Sequence, residues 1–210
     1  MSRRTLFLAV AAALVLPVLL HGCATGPSDA EVTAKATATL KASFKEQGQA
    51  KLDRLDQDDM QKACSEYSGK ALPKEVAARI EKDNLATIKW PADGKLVGDW
   101  KNGEKIAQEG RGMQYSDDPK GAAGANCYAC HQLAPQELSF GTIGPSLYQF
   151  GKNRGYTDEM RKYAYGKIYN ADAYNACTNM PRFGHKGILT EQQIKDVVAL
   201  LMDPASPVNK

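Results

Sequence analysis

The chain has 210 residues, 43% of them hydrophobic, and a formal net charge of +3. Arg3 and Arg4 belong to an N-terminal targeting segment, and without them the remainder of the 27 basic residues nearly balances the 24 acidic ones. A nearly neutral chain argues against a nucleic-acid partner, which requires a strongly basic surface. The length suits one modest domain with an extension.

Residues 1–24 have the pattern of a secretory signal peptide. Two arginines at positions 3 and 4 precede an apolar run from Leu6 to Leu20, and small residues follow. About fifteen apolar residues are too few for a confident membrane span. We predict a periplasmic protein cleaved after Ala24, and the alternative is cleavage before Cys23 with lipid attachment at that cysteine.

Residues 25–95 form a predicted helical extension with few aromatic side chains. Ser28 and Glu31 make a capping box that predicts the start of a first helix. Apolar residues at helical spacing predict a second helix between Leu52 and Cys64. Pro73, at a first-turn position, predicts the start of a third.

Residues 96–210 form a second predicted unit that begins and ends with a helix. Asn102 is the predicted cap of its first helix, which includes Gly103 and Gly110. Glycine costs about 1 kcal/mol in a helix interior, so two glycines predict that another helix crosses closely. The expected partner is the C-terminal helix, which starts at the capping box Thr190–Gln193.

The segment Cys127–His131 has the sequence Cys-Tyr-Ala-Cys-His, the C-x-x-C-H motif of covalent haem attachment. Each thiol can add across one haem vinyl group, and the adjacent imidazole then becomes an axial ligand of the iron. A thioredoxin-like pair would need a flanking βαβ pattern, and a zinc site would need two more ligands. We therefore predict one haem c, held by Cys127 and Cys130, with His131 on the iron.

The second axial position of the iron requires a side chain from elsewhere in the chain. Met180 is the predicted ligand, because it lies in a loop about fifty residues after the motif and just before the terminal helix. His185 is its main competitor. Arg182 is interpreted as a solvated surface residue, with a contact to a haem propionate or a partner subunit as the alternative.

The five cysteines leave one pair without an assigned role. Cys23 belongs to the signal region, and Cys127 and Cys130 are assigned to the haem. Because an oxidising compartment lets disulfides persist, we predict a bond between Cys64 and Cys177. The alternative is two buried free thiols.

The order of these motifs resembles that of class I cytochromes c over roughly the last hundred residues. Asn126–His131 is followed by Gly144–Leu147, then by Met180–Pro181 and a terminal helix. The resemblance implies an all-α class I cytochrome c fold, here with a helical N-terminal extension. It also implies that the backbone carbonyl of Pro145 orients His131.

Four segments are more narrowly similar to the SoxX family, the monohaem subunits of SoxAX complexes in bacterial sulfur oxidation. They are Ile143–Leu147, Lys167–Asn170, Met180–Gly184 and the tail Val198–Asn209. The long extension that carries Cys64 goes beyond the minimal form of that family.

The SoxX resemblance implies a periplasmic electron-transfer subunit of an L-cysteine S-thiosulfotransferase. A SoxA-type cytochrome subunit would join thiosulfate to a cysteine of a sulfur-carrier protein, within a heterodimer with this chain. The haem of this chain would accept the electrons and relay them to a downstream acceptor cytochrome, so no catalytic residue is expected here. The alternative is a free-standing monohaem cytochrome c that serves a terminal oxidase or reductase.

Overall fold

The computed structural model describes residues 26–210, so the predicted signal peptide and Cys23 lie outside the described residues. The chain separates into two compact units between Phe44 and Lys45. Residues 26–210 contain seven α-helices and short 3₁₀ helices, and no β-strand beyond an isolated bridge between Gln47 and Ala50. Within this same range, no helix is long and apolar enough to cross a membrane.

Helix α1 (Asp29–Ser43) is the regular element in the described part of the first unit, residues 26–44. Its predicted capping box is confirmed, because the Ser28 hydroxyl accepts a hydrogen bond from the Glu31 backbone N–H and the Glu31 carboxylate accepts one from the Ser28 N–H. These contacts satisfy two of the backbone donors that a helix start leaves without intrahelical partners.

The second unit begins with a 3₁₀ helix (Leu52–Leu55), followed by α2 (Asp59–Glu66) and α3 (Lys74–Leu85). The prediction of one helix from Leu52 to Cys64 is wrong, because Asp58 caps a new helix between these positions. Its carboxylate accepts from the Gln61 N–H at 3.0 Å, and the Gln61 amide oxygen accepts from the Asp58 N–H. Pro73 is the residue before α3 rather than its first residue, with an extended ψ of 141°.

Four further helices complete the unit: α4 (Trp100–Gln108), α5 (Phe150–Arg154), α6 (Asp158–Tyr169) and α7 (Glu191–Met202). The predicted cap at Asn102 is wrong. Asp99 caps α4 instead, since its carboxylate accepts from the Lys101 N–H at 2.9 Å. An Asp side chain can reach a first-turn N–H in this way and stabilise the helix start.

Helices α4 and α7 cross in direct backbone contact at Gly103. A Cβ atom at this glycine would lie 2.1 Å from the carbonyl oxygen of Asp196 and 3.0 Å from the Leu200 Cβ. The predicted close crossing is therefore confirmed at Gly103. Gly110 is not part of this crossing, because it lies beyond the end of α4 and faces the Asn126 side chain.

The C-terminal tail folds back onto α5 and α7. The Ser206 hydroxyl donates to the Leu200 carbonyl at 2.6 Å, and the Asn209 amide donates to the carbonyl of Leu201. The Gln149 N–H, at the start of α5, donates to the Val208 carbonyl. The tail thus supplies hydrogen-bond partners to the ends of two core helices.

Residues 45–95 belong to the same compact unit as residues 96–210. The buried Asn170 amide donates to the Asn84 side chain at 2.9 Å, and the Tyr165 hydroxyl donates to the Lys89 carbonyl at 3.2 Å. The sequence predicts that the N-terminal extension ends at residue 95. In the structure, the boundary between the two compact units lies between residues 44 and 45. Long-range side-chain contacts of this kind leave no local pattern in the sequence.

Candidate haem site

The C-x-x-C-H motif is a 3₁₀ turn attached to the C-terminal end of α4. The N–H groups of Ala125 and Asn126 donate to the carbonyls of Ile106 and Glu109 at 2.9 and 3.0 Å. Asn126 has a φ of 45°, in the left-handed region that asparagine tolerates better than most residues. Helix α4 therefore sets the position of the motif. The left-handed conformation of Asn126 changes the direction of the chain as it enters the motif.

The two motif cysteines are free thiols rather than a disulfide. Burial raises the pKa of the Cys127 thiol to about 12, whereas a redox-active thiol pair needs a lowered pKa. Across residues 26–210, no group of three or more His, Cys, Asp and Glu side chains could hold a metal ion. Both thiols of the motif are thus available for thioether bonds to a haem.

The His131 imidazole is oriented by a backbone carbonyl. Its Nδ1 lies 2.7 Å from the carbonyl oxygen of Pro145. A carbonyl can only accept a hydrogen bond, so Nδ1 carries the proton and Nε2 keeps the lone pair that a metal needs. This is the geometry that the class I resemblance implies for Pro145.

Gly144 leaves the space in which the imidazole lies. A Cβ atom at Gly144 would be 2.1 Å from Cε1, 2.4 Å from Nδ1 and 2.7 Å from Nε2 of His131. The Gly144 N–H also donates to the Cys130 carbonyl at 2.9 Å, which holds the two segments together. Any other residue at this position would displace the ring.

Met180 lies in the loop that joins the 3₁₀ helix Ala171–Ala173 to α7. It is half-buried and packs against the same apolar core as Cys127. Its competitor His185 belongs to the same loop, where its backbone N–H donates to the Tyr169 carbonyl. Burial and the positive charges of Arg182 and Lys186 lower the pKa of His185.

These residues fit a covalently bound haem c. The two thiols are unpaired, the imidazole presents Nε2, and Gly144 keeps that imidazole free to take its oriented position. A thioether and an imidazole are a common pair of haem ligands, and Met180 provides the thioether beside the shared core. Cys127 and Cys130 would hold the group, and His131 and Met180 would bind its iron.

Comparison with known proteins gives the family. The sequence model of the family described as Cytochrome c matches residues 101–203. The chain belongs to the cytochrome c family. The all-α class I fold is therefore confirmed, and the activity of this cytochrome is electron transfer through covalently bound haem c.

A protein of Aquifex aeolicus is similar to this cytochrome beyond the haem-binding region. It is 43% identical over 155 residues, which is 73% of each chain. Since the match is longer than the region covered by the family model, it includes part of the sequence outside residues 101–203. The relative is described as an uncharacterized lipoprotein.

The cytochrome contains a disulfide between Cys64 and Cys177, the pair left over in the cysteine count. The two Cα atoms lie 5.4 Å apart, and the residues are separated by 113 positions. The alternative of two buried free thiols is not what the structure contains. The bond attaches α2 to the loop of Met180, because Cys177 precedes that methionine by three residues.

Arg182 is buried, so its interpretation as a solvated surface residue is wrong. Its side chain is 6% exposed. The guanidinium lies 2.6 Å from the Asp58 carboxylate, and its Nε lies 3.8 Å from Asp172. Burial raises the pKa of Asp172. Burial also opposes ionisation of Asp58, but hydrogen bonds from Gln61, Arg182 and Lys186 hold the pKa of Asp58 well below its usual value.

The role of Asp58 is the main feature that sequence reasoning missed. The Asp58-x-x-Gln61 pattern marks a capping box and was available as a local signal. The pairing of Asp58 with Arg182, 124 residues later in the chain, has no such local signal.

Proposed function

We propose that this cytochrome is the monohaem subunit of a SoxAX-type complex, an L-cysteine S-thiosulfotransferase. The observation that carries the proposal is the similarity of Met180–Gly184 and Val198–Asn209 to the SoxX family, together with Ile143–Leu147 and Lys167–Asn170. Ile143–Leu147 includes the Gly144 and Pro145 that accommodate and orient His131, so part of the similarity coincides with the haem site.

The conjugation reaction needs an electron acceptor. A carrier-protein thiol and thiosulfate form a sulfur–sulfur bond with the loss of one proton and two electrons. Bound haem c would supply a one-electron couple, so the two electrons would pass through it one at a time to the downstream acceptor. The thioether ligand would raise its potential relative to a second imidazole. In the proposal the bond forms on the SoxA-type partner, and the residues of this chain hold and orient the group that takes up the electrons.

Within this chain, each site residue has a part in electron transfer. Cys127 and Cys130 fix the haem covalently, and the carbonyl of Pro145 keeps the proton of His131 on Nδ1. Fixed ligands limit the rearrangement that accompanies a change of oxidation state, which favours rapid transfer. From this chain the electrons would pass to a downstream acceptor cytochrome.

The proposal is tested by isolating the native protein and measuring haem reduction. We expect a second haem subunit to co-purify and thiosulfate plus carrier protein to reduce the haem of this chain. A carrier protein in which the acceptor cysteine is replaced by serine is the matched control and should give no reduction. Absence of both partner and reduction would contradict the proposal and favour a free-standing monohaem cytochrome c that serves a terminal oxidase or reductase.

We further propose that the protein is exported and anchored in a membrane by a lipid on Cys23. The signal pattern of residues 1–24 supports export, and the description of the Aquifex aeolicus relative as a lipoprotein favours lipid attachment over cleavage after Ala24. A mature chain that begins at a lipidated cysteine needs no membrane-spanning helix.

Mass spectrometry of the mature N-terminus tests the anchor. We expect diacylglycerol on Cys23, and we expect Cys23→Ser to move the protein from the membrane to the soluble fraction almost completely, since the acyl chains supply the membrane affinity. An unmodified mature chain that starts at Thr25 would show that the signal is cleaved in the ordinary way. Val32→Ala is the control, because this exposed residue lies outside residues 1–24 and takes no part in the disulfide.

A further inference from the structure

The loop segment that carries Met180 is attached to α2 at both of its ends. Cys177, three residues before Met180, is bonded to Cys64 within α2. Arg182, two residues after Met180, donates to the Asp58 carboxylate at 2.6 Å, and Asp58 is the N-cap of α2. One short helix therefore holds the chain on both sides of the methionine.

The attachment at Arg182 is buried and charged. The Arg182 side chain is 6% exposed, so removal of its carboxylate partner would leave a buried charge poorly compensated. Asp172 lies farther away, at 3.8 Å from Nε. Lys186 also donates to Asp58, at 2.9 Å, so the same carboxylate binds this loop at two points.

The segment itself has little regular structure to keep it in place. Among the hydrogen bonds of the described chain, no N–H of residues 175–183 donates to a backbone carbonyl. The N–H of Thr178 donates to the Asp172 carboxylate, and the N–H of Met180 donates to the Thr178 hydroxyl. Cys177 has a φ of 60°, which a residue other than glycine rarely adopts. The conformation of the segment thus depends on side-chain contacts.

We infer that α2 is a positioning element for the sixth haem ligand. The Cys64–Cys177 bond and the Asp58–Arg182 ion pair form a two-point clamp, which keeps the Met180 sulfur on the iron against local opening of the loop. The inference rests on the proposed ligation of the iron by His131 and Met180. It gives residues 58–66 a role in the electronic properties of the haem rather than in packing alone.

The clamp is tested with two variants of the full-length holoprotein. Cys64→Ser/Cys177→Ser removes the covalent attachment, and Asp58→Asn removes the charge but keeps an N-cap side chain, so α2 remains capped. Val208→Ala is the matched control, because it leaves a cavity at a fully buried side chain of the C-terminal tail and lowers thermal stability without changing α4, the haem-attachment motif or residues 177–182.

Two measurements separate positioning from general destabilisation. At a temperature where far-UV circular dichroism shows intact helices, both clamp variants should weaken the far-red sulfur-to-iron band of the ferric protein. Both should also bind carbon monoxide faster in the ferrous state, by about tenfold, which corresponds to about 1.4 kcal/mol of easier loop opening. Val208→Ala should lower the unfolding temperature and leave the band and the carbon monoxide rate at wild-type values.

Each result decides between distinct conclusions. If both clamp variants retained the wild-type band and bound carbon monoxide at the wild-type rate, the inference of a clamp would be overturned. Ligation of the iron by Met180 would still stand. Faster binding in Val208→Ala to the same degree as in the clamp variants would also overturn the clamp, because the effect would then be one of stability alone. If the wild-type protein lacked the band, the ligation and the clamp would both be refuted. If the Cys64→Ser/Cys177→Ser variant does not fold, the Asp58→Asn variant alone tests the clamp.

Discussion

Replacement of Met180 with alanine is expected to open the sixth coordination position of the haem iron. The far-red sulfur-to-iron band of the ferric protein should disappear, and the ferrous protein should bind carbon monoxide readily at neutral pH. Loss of the thioether should lower the reduction potential by roughly 0.1 V, a fraction of the ~0.8 V range that axial ligands control. Absorption spectra and a redox titration measure these effects.

Met160→Ala is the matched control for this prediction. Met160 is also half-buried and packs against the same apolar core, but it lies on α6 rather than in the ligand loop. Its loss should reduce stability and leave the far-red band in place. If the band persisted in Met180→Ala, the assignment of Met180 would be wrong, and His185 would be the next residue to test.

Replacement of Gly144 with alanine is expected to displace the proximal imidazole. The added methyl group would lie within 2.1 to 2.7 Å of three atoms of the His131 ring. An overpacked contact of this kind costs about 1–3 kcal/mol, and the ring can escape it only by giving up its hydrogen bond to Pro145. We therefore expect weak iron–imidazole ligation, a partly high-spin spectrum and a holoprotein that unfolds more easily by about 2 kcal/mol.

Ser146→Ala provides the control for the Gly144 variant. Ser146 lies in the same loop and is exposed, and its hydroxyl donates to the Gln132 side chain rather than touching the imidazole. The haem spectrum of this variant should match that of the wild type. A Gly144→Ala protein with a wild-type spectrum and unfolding curve would show that His131 does not depend on the space that Gly144 leaves.

The elements with local chemical signals were predictable from the sequence. The C-x-x-C-H spacing identifies haem attachment because two thiols and an imidazole must meet one porphyrin, and the family match supports this identification. The capping boxes that begin α1 and α7 were also predicted where they occur, because a cap depends on residues only three positions apart. The cap of α4 was misplaced, because Asn102 and Asp99 are both good capping residues and the sequence alone does not choose between them.

Other features depend on residues that meet only in the folded chain. Gly103 predicted a close helix crossing, but Gly110, with the same apparent signal, faces Asn126 instead. The pairing of Asp58 with Arg182 changed an expected surface arginine into a buried one. Both outcomes were set by tertiary contacts, which carry no periodicity or spacing that could be read in advance.

Single side chains and their spacing identified the chemistry of this protein: the C-x-x-C-H motif whose cysteines and histidine would hold haem c, the family, and the cysteine pair that remained for a disulfide. How the ligand-bearing segments are supported became visible in the folded chain. Gly144 leaves room for the imidazole, and α2 contacts the chain on both sides of Met180. The physical reason is that ligand identity is a property of single side chains, whereas their support comes from excluded volume and buried charge pairing between distant segments.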